Sequence, residues 1–401
     1  MKKKDKLVRS GNPFTPMTGI EPSVFGGRTA EINFFEQRLE RALRGNYSEH
    51  FLVLGDWGIC KSTLLKEFKK MCRSRGYIAS LVQLEPFQEG SRLMDVARSM
   101  VEGVLRDLPF SVDKFKRISG FFDTIGIDVL GTGVQLGRDT ARKDLSPQSF
   151  LYDSLRNLWE DVKGKSDVLV ILLDDLDNYA PVSEIVMTIK QTLSLDRLRA
   201  SRILVGISST QANWSEMTSL KKHHPLSRYF LSRIELTPLK EPELHQTVVR
   251  SLAGTGVTFS EEVISRVFGL TKGHPFEMQV LCYHLFNNQL SRRVGMDLWE
   301  KALESSVNDL GAAVFEHWYG EASPEEAKVL RAVAEADAEV SVGETQQLLV
   351  RLDTRISSKS ITKYLQRLTG KQLIERAARG RYAISDPMFR AYLRRKSSSR
   401  K

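Results

Sequence analysis

Two kinds of apolar pattern alternate along the first part of the chain. Strand candidates are Phe51–Leu54, Tyr77–Glu85, Val168–Leu173, Ile203–Ser208 and Ile234–Leu236, with short continuous apolar runs such as VLVILL and RILVGI among them. Runs of this length suit strands covered on both faces. Between them lie longer stretches with apolar residues every three or four positions, including Lys61–Cys72, Leu151–Val162 and Ser183–Thr192, which predict helices. A further helix, with Ile32, Phe35, Leu39 and Leu43 on one face, precedes the first strand and stops at Gly45. Strand–helix alternation predicts a doubly wound α/β domain with a parallel sheet. The Gly-rich stretch from Phe121 to Gly137 interrupts it and reads as a hairpin or loop insertion.

From about Glu241 the strand pattern ends, and EPELHQTVVRSL, SEEVISRVFGL and PFEMQVLCYHLFNNQL predict a small helical domain. Near Ser323 a third pattern begins. SPEEAKVLRAVAEA carries a Ser323 N-cap and Pro324 at the first helical position. VGETQQLLVRL and SSKSITKYLQRLTG predict two more helices, and LIERAARGRYAISD a β-ribbon turning at Gly380. Helix, helix, helix, ribbon is the order of a winged helix-turn-helix. In the third helix Ile361, Tyr364, Leu365 and Leu368 share one face, while Lys359, Lys363 and Arg367 share another. That division suits a helix that packs on a core and presents cations to a DNA groove, with Arg376, Arg379 and Arg381 on the wing.

Charge sharpens this expectation. The 401 residues carry a net charge of +10, but Arg355–Lys401 holds 14 Lys and Arg against two acids, and residues 2–9 add a smaller basic cluster. A basic end on an otherwise acidic chain points to a polyanion such as double-stranded DNA; the plainer alternative is a solubilising tail. No apolar run approaches the roughly 20 residues that span a bilayer, and no apolar segment follows the basic N-terminus. Three cysteines without metal-ligand spacing suggest free thiols in a reducing cytoplasm.

The candidate chemistry begins at GDWGICKST, from Gly55 to Thr63. It follows the phosphate-loop pattern G-x-x-x-x-G-K-[ST], except that Cys60 stands in place of the second glycine. Such a loop wraps phosphates with successive backbone N–H groups at a helix N-terminus. Gly55, Asp56, Trp57, Gly58, Ile59 and Cys60 would form the cradle. Lys61 would meet the β- and γ-phosphates, Ser62 would bind Mg2+, and Thr63 would open the helix. ILLDDLD supplies the second half of an ATP site: Asp174 would assist the metal and Asp175 would polarise the attacking water, whereas Asp177 also suits a helix cap. At Cys60 a Cβ replaces a hydrogen where close backbone approach is wanted. A thiol beside Lys61 at a helix N-terminus is expected to have a lowered pKa and to react readily.

Taken together, FGGRTAEINFFEQRL, GDWGICKSTLL, LVILLDDLD, ILVGISST, LSRYFLSRIELTPL and TKGHPFEMQVLC resemble AAA+/STAND-type ATPases. They are most similar to archaeal and bacterial ATPases related to replication initiators, over roughly residues 24–395. The resemblance implies a P-loop core over 26–240, a helical lid over 241–322 and a winged helix over 323–396, flanked by an extended basic tail at 1–25 and a basic tail at 397–401. It also implies that Ser208 or Ser209 senses the γ-phosphate. Arg228, or else Arg233, would act as an arginine finger in a homo-oligomer, the alternative for either being a structural ion pair. His274 and Pro275 would fold the lid over ATP, although His274 also suits a helix cap. Asp175 stands where vigorous relatives carry Glu, so slow hydrolysis is expected. The expected activity is therefore an ATPase whose nucleotide state controls binding to, or assembly on, DNA. The alternatives are a STAND-type signalling switch, or a scaffold without catalysis whose winged helix binds protein.

Overall fold

The computed structural model describes residues 11–17, 22–45, 48–83, 93–108, 117–118, 120–121, 127–128, 135–136, 145–176, 182–219 and 224–398. The basic residues 1–9, Asp177, the tail 399–401 and most of the 121–137 insertion lie outside them. The chain forms two compact units, one of residues 28–237 and one combining residues 1–27 with 238–401.

The 28–237 unit is built on a five-stranded sheet. Its strands are β1 (Phe51–Leu54), β2 (Ile78–Gln83), β3 (Leu169–Asp174), β4 (Ile203–Ser209) and β5 (Ser232–Glu235), in the order β2-β3-β4-β1-β5. Every pairing is parallel. All residues of β1, β3 and β4 are buried, as expected for inner strands with helices on both faces. The helices include α1 (Thr29–Arg44), α2 (Lys61–Ser74), α3 (Leu93–Arg106), α4 (Pro147–Val162), α5 (Val182–Leu193), α6 (Gln211–Ser219) and the short α7 (His224–Tyr229). Phe35 on α1 stacks on Phe68 on α2 at 4.1 Å, and both meet Phe51 edge-on, which fixes these helices beside β1.

The expected elements are present, with shifted ends. α4 starts four residues before the predicted Leu151, because Ser146 caps it by accepting from the Ser149 N–H at 3.1 Å and Pro147 occupies the first turn. β5 starts at Ser232, two residues early; its burial alternates because it is an edge strand, so it does not show as a continuous apolar run. In the 121–137 stretch, Ile127–Asp128 pairs antiparallel with Gln135–Leu136, the expected hairpin.

The second unit starts with residues 11–17. Phe14 is buried against Phe259, Asn12 donates to the Tyr283 carbonyl at 3.0 Å, and the Thr15 N–H donates to Gln279. These partners lie on or near α8 (Glu241–Leu252), α9 (Glu261–Thr271), α10 (Pro275–Asn288) and α11 (Trp299–Leu310). Beyond Ser323 follow α12 (Pro324–Glu335), β6 (Val340–Ser341), α13 (Val342–Arg351), α14 (Ser358–Gly370), β7 (Ile374–Ala378), β8 (Arg381–Ile384) and α15 (Pro387–Ser398). The strands form an antiparallel sheet in the order β6-β8-β7. Ser323 and Ser341 each form a capping box with the glutamate three residues on. Val280, Val307 and Leu310, from α10 and α11, share a core with Ile361, Leu365 and Phe389.

His50, just before β1, is buried; its Nδ1 accepts the Val205 N–H at 3.1 Å, and burial pushes its pKa down to about 4. In the unfolded chain the imidazole takes a proton near pH 6.5, which the folded chain excludes until about pH 4. Stability is therefore lost as pH falls through that window, on the order of 2–3 kcal/mol from this group. A His50→Gln variant should lose less melting temperature than the native protein between pH 7 and pH 4.5, measured by thermal denaturation.

Candidate nucleotide site and basic face

The phosphate loop joins β1 to α2. The Gly55 N–H donates to the Ser209 carbonyl at 3.3 Å, which ties the loop to the end of β4. A Cβ at Gly55 would lie 2.6 Å from the buried Ile59 side chain, so the first glycine is required by packing. Lys61 Nζ donates back across the loop to the carbonyls of Gly55 at 2.9 Å and Asp56 at 3.1 Å. Ser62 and Thr63 begin α2, and Trp57 is exposed.

Cys60 has φ 75° and ψ 30°, the left-handed conformation a glycine would adopt freely. For a residue with a Cβ this costs roughly 1–2 kcal/mol. Contrary to the sequence expectation, the thiol's pKa lies above its ordinary value. Burial raises its pKa to about 11, outweighing the opposing effects of the Arg28 guanidinium and the Thr63 hydroxyl. The expectation took account of the helix N-terminus and Lys61, but not of the desolvation that wins.

Asp174 ends β3 and is fully buried. Ser208 on β4 donates to Asp174 Oδ1 at 2.5 Å and accepts the Asp175 N–H at 3.1 Å. Among the described residues Asp174 Oδ2 has no hydrogen-bond partner. A fully buried carboxylate oxygen without a partner is a costly arrangement unless a cation or donor completes it. Asp175 has φ 54°, a left-handed value that Asp tolerates better than most residues. The hydroxyl expected to sense the γ-phosphate is thus engaged with both acids. Ser209 contributes its backbone carbonyl to the start of the loop.

Arg228 lies at the end of α7, before β5, is exposed, and pairs with no carboxylate among the described residues. Because β5 runs parallel to β1, the chain enters β5 at the sheet edge opposite the phosphate loop. Arg233 instead pairs with Glu235 at 2.9 Å, the structural role weighed for it. His274 and Pro275 belong to the other compact unit, at the N-cap and first position of α10. His274 caps through its backbone, without a side-chain cap bond. The preceding Gly273 has φ 81°, and a Cβ there would lie 1.9 Å from the Leu239 carbonyl oxygen. Two buried residues escaped the sequence reading. Arg28, in FGGR, touches the phosphate loop. Glu277, on α10, has its carboxyl held well above the usual range by burial and then by Asp386.

The basic end divides into two populations. Lys359 and Lys363 on α14, with Arg355 before it and Arg376 and Arg379 on the ribbon, are exposed and form no ion pair with a described residue. Other expected contacts are committed internally. Arg381 pairs with Glu339 at 3.0 Å and Glu344 at 3.4 Å, so it braces the base of the ribbon. Arg367 is exposed but lies 3.7 Å from the buried Glu326, which also accepts from Lys371 at 2.7 Å. On α15, Arg394, Arg395 and Lys396 pair with Asp337, Glu304 and Glu316.

A strand–loop–helix whose lysine faces its own loop, two strands from an acid pair on the same sheet, defines a class. Residues 24–205 match the family model described as AAA ATPase domain. The chain is also similar to particular proteins. An uncharacterized HTH-type transcriptional regulator of Methanocaldococcus jannaschii is 20% identical over 380 residues, covering 88% of this chain and 85% of that one. The fold is similar to that of a Walker-type ATPase of Pyrococcus abyssi, with TM-score 0.61, 16% identity, and 93% and 97% of the two chains covered. It is similar to the ORC2 protein of Aeropyrum pernix, solved as ADPNP–ADP complexes, with TM-score 0.62, 14% identity, and 96% and 97% covered. Among the described residues no helix is long and apolar enough to cross a membrane.

A half-buried thiol with a pKa raised to about 11 should alkylate slowly at pH 7.5. Iodoacetamide labelling of Cys60, followed by mass spectrometry of the peptide, is expected to run well below the rate of a free thiol such as glutathione. Labelling as fast as that thiol would contradict the assignment.

Proposed function

We propose that this protein is an ATP-binding switch with slow hydrolysis, whose nucleotide state governs its hold on double-stranded DNA. The observation that carries the ATP half is that the Lys61 loop and Asp174 lie at the same end of the parallel sheet, with the buried Asp174 Oδ2 lacking a partner among the described residues. Ser62 and Asp174 fit Mg2+, which when bound would screen the phosphate charge. The loop N–H groups and Lys61 would hold the phosphates, after Lys61 leaves the two carbonyls it now contacts. Asp175 would orient the attacking water; its short side chain and left-handed backbone support a slow step. Arg228, at the opposite sheet edge from its own loop, suits action on a neighbouring subunit rather than in cis. His274 and Pro275 would close over the nucleotide.

The DNA half rests on α14 and the ribbon. Helix–strand–helix–helix–strand–strand is the order of a winged helix, and an HTH-type regulator is among the similar proteins. The uncommitted cations Arg355, Lys359, Lys363, Arg376 and Arg379 would meet phosphates, giving affinity that falls with salt with a logarithmic slope of about −4 to −5. Arg367 would contribute at the edge of this footprint, and Arg381 would act by bracing the ribbon.

ATP binding and turnover, measured with and without duplex DNA, test this reading. Turnover stimulated by DNA supports it; binding that DNA does not affect favours a signalling switch, and no binding favours a scaffold. Asp175→Asn should retain ATP affinity while losing at least tenfold in turnover. In a separate DNA-binding titration, Lys359→Glu combined with Lys363→Glu should weaken binding tenfold or more and flatten the salt slope. Arg381→Ala should instead lower the melting temperature by about 2–4 °C, the effect of losing roughly 1 kcal/mol.

A further inference from the structure

The deviant residue of the phosphate loop has a neighbour that accounts for its tolerance. Arg28 is 5% exposed, in FGGR, at the start of α1. Its Nη1 pairs with Glu31 at 3.1 Å, and its Nη2 donates to the Ile59 carbonyl at 3.3 Å. The Ile59 carbonyl and the Cys60 N–H belong to one planar trans peptide, so they point in opposite directions. A carbonyl fastened to the buried guanidinium therefore turns the Cys60 N–H away from Arg28. The Cys60 thiol lies beside the same guanidinium and the Thr63 hydroxyl.

A glycine at this position would hold φ near 75° without cost, whereas a cysteine tends to relax to negative φ by rotating that peptide. Rotation would turn the N–H out of the cradle and put a carbonyl oxygen, which repels phosphate, in its place. Glu31 holds the guanidinium in position, and burial of the whole group excludes water that could compete for the carbonyl.

We infer that Arg28 is a positioning residue that clamps the Ile59–Cys60 peptide and so compensates for the missing glycine of the phosphate loop. The inference rests on the reading of this loop as a nucleotide site. It makes a chain-specific demand: Arg28 and Cys60 must be energetically coupled, because glycine at position 60 would not need the clamp.

The test is a double-mutant cycle on the full chain, with Arg28→Ala, Cys60→Gly and both together, titrated with ATP in the presence of Mg2+. In the native Cys60 background, Arg28→Ala should raise the Kd for ATP tenfold or more. In the Cys60→Gly background the same change should raise it threefold or less. A purely structural Arg28 would cost the same in both backgrounds, and that result, or no loss in either, would overturn the proposal. If Arg28→Ala fails to fold, Arg28→Lys, which keeps the charge but not the two-pronged reach to Glu31 and Ile59, should show a smaller loss of the same sign and the same dependence on residue 60. Should the native protein fail to bind while Cys60→Gly binds, the clamp is refuted and the loop survives as a nucleotide site. Absence of binding in both would reject the nucleotide reading itself.

Discussion

The position of β4 between β1 and β3 is the constraint on which the candidate site depends. Neighbouring strands lie about 4.8 Å apart, so the phosphate loop after β1 and the acid pair after β3 are separated by roughly 10 Å. β4 fills that gap and serves both sides. Its Ser209 carbonyl fixes the start of the loop, and its Ser208 hydroxyl holds Asp174 and the Asp175 backbone. One oxygen of Asp174 is satisfied by Ser208, and the other has no partner among the described residues. A phosphate chain with its metal is of a size to bridge such a gap.

Much of this was legible in the sequence because inner strands and helix faces obey simple periodicities. β1, β3 and β4 read as continuous apolar runs since both faces are covered, and the loop residues fall where a strand gives way to a helix. Where the sequence reading slipped, the physics is local and identifiable. The edge strand β5 alternates in burial, so half of it was missed. The start of α4 lay in its Ser146-Pro147 cap rather than in its apolar face. The Cys60 thiol was misjudged because burial, which sequence neighbours do not reveal, opposes and exceeds the nearby positive charge. The bonds that Ser208 makes to the Asp174 carboxylate and the Asp175 N–H depend on the strand order, which no local pattern encodes. Arg28 reaches the loop across 31 residues of sequence, and its spacing carries no signal.

The basic C-terminal region teaches a similar lesson about charge. Its excess of cations is visible at a glance, yet counting them overstates what is available to a partner. Arg381 and Lys371 are consumed in holding a three-stranded sheet and a helix end, and α15 is stitched by Arg394, Arg395 and Lys396 to carboxylates and carbonyls on other segments. Among the described residues, the exposed cations without an ion pair include Arg355, Lys359, Lys363, Arg376 and Arg379, while α14 buries Ile361, Leu365 and Leu368. Specificity of contact, not total charge, is what the fold presents.

The route of the chain has a consequence for how the protein is made. Residues 28–237 form a unit continuous in sequence, whereas residues 11–17 settle among side chains around Phe259, Gln279 and Tyr283. A chain emerging from the ribosome N-terminus first presents those seven residues with no surface to receive them until more than 200 further residues have been added. The α/β core can close in the meantime, since everything it needs has already been synthesised. Phe14, made more than 200 residues before the Phe259 it packs against, therefore waits for its burial, and seating it closes a long loop whose entropic cost grows only slowly with length.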